Sequence, residues 1–178
     1  MRRTPWGKSR LILVLGGAAS GKSQVALDLA GRKGPRAFVA TGQALDREMN
    51  VRIERHRSTR PPDWETAEVP TDLAQWFIDK GATYQLIVLD CLTLWLSNMK
   101  GLRLRDGAVV EATASLLAAI RATKARVVIV SNELGLGLVP ATKPVRAFRD
   151  LAGKVNQQVA AEADEVYLTV SGLPLRLK

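Results

Sequence analysis

Apolar residues follow two rhythms along this chain. Unbroken runs, LILVL at 11–15, AFVA at 37–40, LIVL at 86–89 and VVIV at 127–130, stand between turn-forming residues. Such runs mark strands buried on both faces of a parallel sheet. Between them apolar positions return at helical spacing, which predicts helices over Lys22–Ala30, Asp72–Lys80 up to Gly81, Leu92–Met99, Gly107–Thr123 and Val145–Ala163. The strands expected are Arg10–Leu15, Ala37–Ala40, Leu86–Leu89, Arg126–Val130, Glu165–Val170 and, after a turn at Ser171–Pro174, Leu175–Leu177. A polar, helix-compatible stretch from Asp46 to His56, closed at Arg60–Pro62, reads as a helix-loop insert after the second strand, and Ser131–Pro140 as a glycine-rich loop. The expected class is α/β: a mostly parallel sheet with helices on both faces and an antiparallel hairpin at the C-terminal end. No repeat or linker interrupts it, so residues 10–178 read as a single domain preceded by a basic extension, residues 1–9.

The first strand runs into a glycine-rich turn with chemistry of its own. Gly16, Gly17, Ala18, Ala19, Ser20, Gly21, Lys22 and Ser23 spell G-x-x-x-x-G-K-[ST] between a predicted strand and a predicted helix, the setting that makes this pattern a phosphate cradle. Glycines let successive N–H groups point inward, the helix N-terminus adds partial positive charge, Lys22 reaches the β and γ phosphates, and Ser23 can ligate Mg²⁺. Such a loop works with a carboxylate at the end of a neighbouring apolar strand, and LIVLD supplies Asp90 as second holder of the metal shell. The guanine-reading sequence N-K-x-D is absent, so the loop does not say which base is bound.

Charge and the rarer residues narrow the picture. Twenty-six Lys and Arg against seventeen Asp and Glu give +9, which raises nucleic acid as a partner. The cations are scattered, however, without interleaved aromatics, and this favours small anionic substrates over nucleic acid. They concentrate only near the N-terminus and in RIERHRSTR, around His56, the single histidine. Four arginines there disfavour imidazole protonation and draw phosphates close, so His56 is a candidate nucleophile toward a nucleotide α-phosphate as well as a candidate structural histidine. The lone Cys91 fits no disulfide or metal-ligand spacing and reads as a small buried hydrophobe. No apolar run approaches the roughly 20 residues that span a bilayer, and MRRTPWGKSR lacks the apolar core of a secretory signal, so a cytoplasmic protein without a membrane span is expected.

Taken in order, GGAASGKS, VATGQALDREMNVRIERHRSTRPPDWETAE, LIVLDCLTLWLSN, VSNELGLGLVP and FRDLAGKVNQQVAAEADEVYLTVSGLPLRLK resemble the bifunctional adenosylcobinamide kinase and adenosylcobinamide-phosphate guanylyltransferase family of cobalamin biosynthesis, across almost the whole chain. The resemblance implies a fold like the RecA-type P-loop NTPases, a homotrimer, and GTP and ATP as substrates alongside the corrinoid. It implies that Lys22 serves the phosphoryl transfer, that His56 becomes covalently attached to GMP, and that the helix carrying His56 folds over the phosphate loop. It further implies nucleotide contacts from Ala40, Thr41, Gly42, Arg57, Ser58, Thr59, Arg60, Glu68 and Asp90. Glu68 would otherwise read as a surface acid in a loop. Asn132 and Glu133 close a strand beside the site by analogy, where they would order nucleotide or acceptor, or merely cap the strand end. Trp64, Trp76 and Trp95 read as core or subunit contacts rather than corrinoid stackers. The basic start of the chain is longer than the family's usual one and touches no motif. Two other readings follow from the residues: a P-loop kinase of another small metabolite with His56 structural, and a nucleotide-dependent DNA-binding or regulatory ATPase, supported only by the +9 charge.

Overall fold

The computed structural model describes residues 10–44, 47, 50, 51, 53, 54 and 62–178. Chain order is β1 (Arg10–Gly16), α1 (Lys22–Ala30), β2 (Arg36–Ala40), β3 (Glu65–Glu68), α2 (Leu73–Lys80), β4 (Leu86–Asp90), α3 (Leu92–Gly101), α4 (Asp106–Ala122), β5 (Arg126–Asn132), α5 (Lys143–Glu162), β6 (Glu165–Val170) and β7 (Leu173–Arg176), with a 3₁₀ turn at Gly81–Thr83. Between β2 and β3, Arg47, Asn50, Val51, Ile53 and Glu54 are helical, as the polar insert led one to expect. His56, Arg57, Ser58, Thr59, Arg60 and the basic extension lie outside the described residues.

All seven strands join one sheet in the order β3-β2-β4-β5-β1-β6-β7. Every neighbouring pair is parallel except β6 and β7, which close antiparallel. The continuous apolar runs are explained by cover on both faces. Leu11, Leu13, Leu15, Ile87, Leu89, Val127 and Ile129 point into a core shared with α2, α3, α4 and α5. The alternate residues Ile12, Val14, Phe38, Val88, Val128 and Val130 meet Val25, Ala26 and Ala30 of α1 together with Trp64. Helices thus cover both faces, unequally. Each fully buried Leu, Ile or Val contributes roughly 1.5–3 kcal/mol relative to exposure, so the central strands carry most of the fold's apolar stabilisation.

Three expectations of local structure are corrected. Residues 65–68 form an edge strand instead of a loop: ETAE carries no apolar run because β3 pairs only with β2 and three of its four residues are exposed. The last strand is Leu173–Arg176 rather than Leu175–Leu177, because Ser171 and Gly172 turn the chain by themselves, with φ of 51° and 81°. Proline is tolerated at Pro174 because β7 is the opposite edge. Finally β5 continues past Val130 through Ser131 and Asn132, whose polar groups are satisfied by other elements.

Candidate active site

Crevices for ligands in parallel α/β sheets lie beyond the carboxyl ends of the strands. Here that rim is formed by Gly16 of β1, Ala40 of β2, Glu68 of β3, Asp90 of β4 and Asn132 of β5. The register places Glu68, Ala40 and Asp90 side by side across β3, β2 and β4, and Gly16 opposite Asn132.

Gly16 to Ser23 wraps over the end of β1 into α1. Ala19 and Gly21 have positive φ, 53° and 87°, a backbone turn that aims N–H groups into a shared concavity. A methyl group on Gly16 would lie 2.4 Å from Ser20 Oγ and 2.8 Å from the Thr169 carbonyl oxygen, so only glycine fits there. The loop is braced from behind by the β6–β7 turn, where the Gly172 N–H donates to the Ser20 carbonyl at 2.8 Å. Lys22 Nζ donates to the Gly17 carbonyl at 2.9 Å. Burial holds the Lys22 ammonium below the usual lysine range, against the opposing pull of the Asp90 charge. Ser23 Oγ donates to Asp90 Oδ2 at 2.7 Å across 67 residues of sequence. Ser20 Oγ is buried without a hydrogen-bond partner among the described residues.

Beside the cradle, the ends of β2 and β4 are locked together. Thr41 is fully buried, and its hydroxyl both donates to the Cys91 carbonyl (2.7 Å) and accepts from the Cys91 N–H (2.9 Å). Its carbonyl accepts from Asn98 Nδ2 at 2.8 Å. A side chain so engaged positions the strand ends, and its neighbours Ala40 and Gly42 flank it on the rim. A methyl group on Gly42 would lie 3.5 Å from the side chains of Ile53 and Leu94, so Ile53, three residues before His56 in sequence, rests at this end of the sheet. Glu68 is exposed on the outermost strand. Asn132 receives its place from a buried polar clamp: its N–H donates to Thr93 Oγ1 (2.8 Å), its carbonyl accepts from Asn156 Nδ2 (3.1 Å), and Ser131 Oγ donates to Asn156 Oδ1 (2.7 Å). The Glu133 N–H donates to the Gly16 carbonyl at 3.0 Å, which ties this strand end to the phosphate loop.

A match to the family model for cobinamide kinase / cobinamide phosphate guanyltransferase extends over residues 12–177, phosphate loop and clamp included. The chain belongs to this family. It is 39% identical over 180 residues to the bifunctional adenosylcobalamin biosynthesis proteins CobU of Escherichia coli and of Salmonella typhimurium, covering 94% of this chain and 99% of each relative. It is 40% identical over 168 residues to CobP of Pseudomonas aeruginosa, covering 93% and 96%. Among solved structures it is similar to a KaiC-like protein of Pyrococcus horikoshii, with a TM-score of 0.51 and 12% identity over 90% of this chain and 71% of that one. That likeness supports the expected RecA-like α/β fold and nothing finer. As a family member the chain has cobinamide kinase and cobinamide phosphate guanylyltransferase activity, in cobalamin biosynthesis.

For a cobinamide kinase and guanylyltransferase the remaining side chains sort clearly. Cys91 is buried as expected, its thiol pushed up to about 12 by burial and by Asp90, and its sulfur also accepts from the Leu94 N–H at the start of α3. Trp95 is buried with its indole N–H donating to the Thr71 carbonyl. Trp64 is buried under the Arg36 guanidinium, and Trp76 stacks on Tyr84 with its neighbour Phe77 edge-on. All three pack within the chain. Among the described residues no group of three or more His, Cys, Asp or Glu gathers as a metal site, and no helix is long and apolar enough to cross a membrane. Sequence reading passed over Thr93, Asn98, Asn156 and Gly172. A polar residue at an otherwise apolar helical position was the one signal available for the asparagines.

Proposed function

We propose that one phosphate loop serves two successive reactions on the same acceptor. In the first, a nucleoside triphosphate, ATP or GTP, gives its γ-phosphoryl group to the hydroxyl of the aminopropanol arm of adenosylcobinamide. Gly16 to Ser23 cradle the phosphates with backbone N–H groups, and the Lys22 ammonium offsets charge on the transferred group. Ser23 and Asp90, a hard oxygen pair 2.7 Å apart, suit Mg²⁺, which takes one or two protein oxygens and completes its shell with phosphate and water. When bound, the ion would neutralise charge on the β and γ oxygens.

In the second reaction His56 attacks the α-phosphorus of GTP and pyrophosphate leaves. The phosphate monoester of the acceptor then attacks the guanylyl phosphorus, the P–N bond breaks, and adenosylcobinamide-GDP forms with His56 restored. Ala40, Thr41, Gly42, Glu68, Asp90, Arg57, Ser58, Thr59 and Arg60 would hold the guanine nucleotide, with Thr41, whose hydroxyl, N–H and carbonyl are all engaged within the fold, contributing by shaping the strand ends that carry the others. We place the assembled enzyme as a cytoplasmic homotrimer. The observation that carries the proposal is the convergence of Lys22, Ser23 and Asp90 on the rim, with Ile53, just upstream of His56, against Gly42 on the same rim.

The test compares the parent with His56→Asn, using α-³²P-GTP and γ-³²P-GTP. The parent should take label on protein from the α position only, stable in base and released by acid as a phosphoramidate is. His56→Asn should take none, make no adenosylcobinamide-GDP, and keep ATP-driven phosphorylation of adenosylcobinamide within a few-fold of the parent. Labelling of His56→Asn from the α position would overturn the guanylyl-histidine step and leave a kinase with a structural histidine.

A further inference from the structure

The segment after β5 exposes large apolar side chains for which the fold gives no use. Leu134 packs against the core, but Leu136 is 81% exposed, Leu138 96% and Val139 70%. These are not the side chains of a loose loop. At its root the Glu133 N–H is bonded to the Gly16 carbonyl and Glu133 Oε1 accepts from the Gly135 N–H at 2.6 Å. At its far end the Arg146 guanidinium donates to the carbonyls of Pro140 (2.9 Å) and Ala141 (2.8 Å), and Val145 beside it is half exposed. Tied at both ends, the segment holds two leucines and a valine in water, and its root is bonded to the start of the phosphate loop. Contiguous exposed apolar surface next to a reaction site marks a binding surface.

We infer that Leu136, Leu138 and Val139 receive the corrin ring of the cobinamide acceptor. The inference rests on the proposed function and deepens it. A corrin is a broad macrocycle fringed with methyl groups and uncharged amides, and it carries the reacting hydroxyl at the end of a flexible arm. Its binding surface should therefore be apolar, free of a strict charge pattern, and offset from the phosphates by the length of that arm. The segment meets the first two conditions, since its exposed residues are aliphatic and none from Leu134 to Thr142 is charged, and its leucines stand a few residues along the chain from a root hydrogen-bonded to the first residue of the cradle. Aromatic stacking by the described tryptophans is unavailable, since Trp64, Trp76 and Trp95 are engaged in packing. The second apolar stretch, Leu173 and Leu175 of β7 with Leu177 after it, also starts beside the cradle, at Gly172, but it runs along a sheet edge and carries the cations Arg176 and Lys178 among its leucines, a fixed charge pattern that an uncharged macrocycle does not call for.

Equilibrium dialysis with cobinamide, read by its visible absorption and without nucleotide, tests the assignment on the parent and on L136S/L138S. The double variant should bind cobinamide about tenfold or more weakly, while labelling by α-³²P-GTP and the light-scattering mass stay at parental values. L136M/L138M, which keeps apolar volume, should bind within about twofold of the parent. Unchanged cobinamide affinity in L136S/L138S would overturn the inference, and so would a fall in mass accompanying the loss, which would assign the segment to contact with a second copy. A parent that binds cobinamide through these leucines yet phosphorylates none of it would refute the proposed function and leave the binding surface standing.

Discussion

At Gly16 the whole site depends on a missing methyl group. Adding one places carbon 2.4 Å from Ser20 Oγ and 2.8 Å from the Thr169 carbonyl, and backbone on the β6 side cannot retreat as a flexible side chain would. At Gly17 an added methyl meets nothing within 4 Å and needs no positive φ. Gly16→Ala should therefore lose about 1–3 kcal/mol of unfolding free energy, the usual cost of overpacking, while Gly17→Ala stays within about 0.5 kcal/mol of the parent in the same urea titration. Equal effects of the two would contradict this packing. The phosphate loop was legible from eight consecutive residues because its chemistry is local: backbone turn, lysine and serine are supplied by one stretch of chain. Thr41 was legible only as a motif member. That its hydroxyl bridges the Cys91 peptide follows from two strand ends meeting 50 residues apart.

Between elements, the clamp of Thr93, Ser131, Asn132 and Asn156 holds α3, β5 and α5 in one register. Ser131 is fully buried and Asn156 only 5% exposed, so each polar group depends on its partner. Asn156→Leu fills the space but strands the Asn132 carbonyl and leaves the Ser131 hydroxyl only its longer contact with Thr93 Oγ1 at 3.2 Å, at a cost of about 1–3 kcal/mol. Because Ser131 has lost its shorter bond in Asn156→Leu, Ser131→Ala should cost less in that background than in the parent, and chemical denaturation of the single and double variants reads the coupling. Strict additivity would show that the two side chains act independently. The same clamp explains why β5 outruns its apolar run: Ser131 and Asn132 look like loop residues until other helices supply their partners. The opposite failure occurs at β3, where a polar edge strand leaves no periodic trace because one neighbour and one half-exposed face suffice for it.

Across the molecule, Asp164 joins segments more than 150 residues apart. Its carboxylate accepts from the Leu11 N–H at 2.7 Å and from Arg121 at 2.9 Å, while its own N–H donates to the Leu11 carbonyl. Burial by itself would raise the Asp164 carboxyl, but the Leu11 N–H and the Arg121 guanidinium outweigh it and hold the group below the usual aspartate range. A depressed carboxylate stabilises the fold above its unfolded value and ceases to do so as pH falls through the folded one. Stability should hold from neutral pH down to about pH 4 and decline below it, and Asp164→Asn should be less stable at pH 7 with a shallower acid decline. Because the side chain is 44% exposed, the difference is modest, and parallel acid curves for the two proteins would remove Asp164 from this role.

What the sequence determined by itself was whatever depends on neighbours in the chain. This covers the alternation of buried strands with helices, the phosphate loop, the polar insert with its arginines around the single histidine, and, through the order of its motifs, the cobinamide kinase and guanylyltransferase family. Those signals survive without a fold because turn geometry, periodicity and charge density act over a few residues. Only tertiary structure decided the strand order, the edge position of β3, the pairing of Ser23 with Asp90 across 67 residues, the brace of Gly172 on the phosphate loop, and the exposure of Leu136 and Leu138 on a segment whose root is bonded to Gly16. Each of these joins groups far apart in sequence, and such contacts form only when burial of the two cores repays the entropy of bringing distant segments together. A leucine reads the same in the sequence whether it is buried or left in water, and the packing of its neighbours alone decides which.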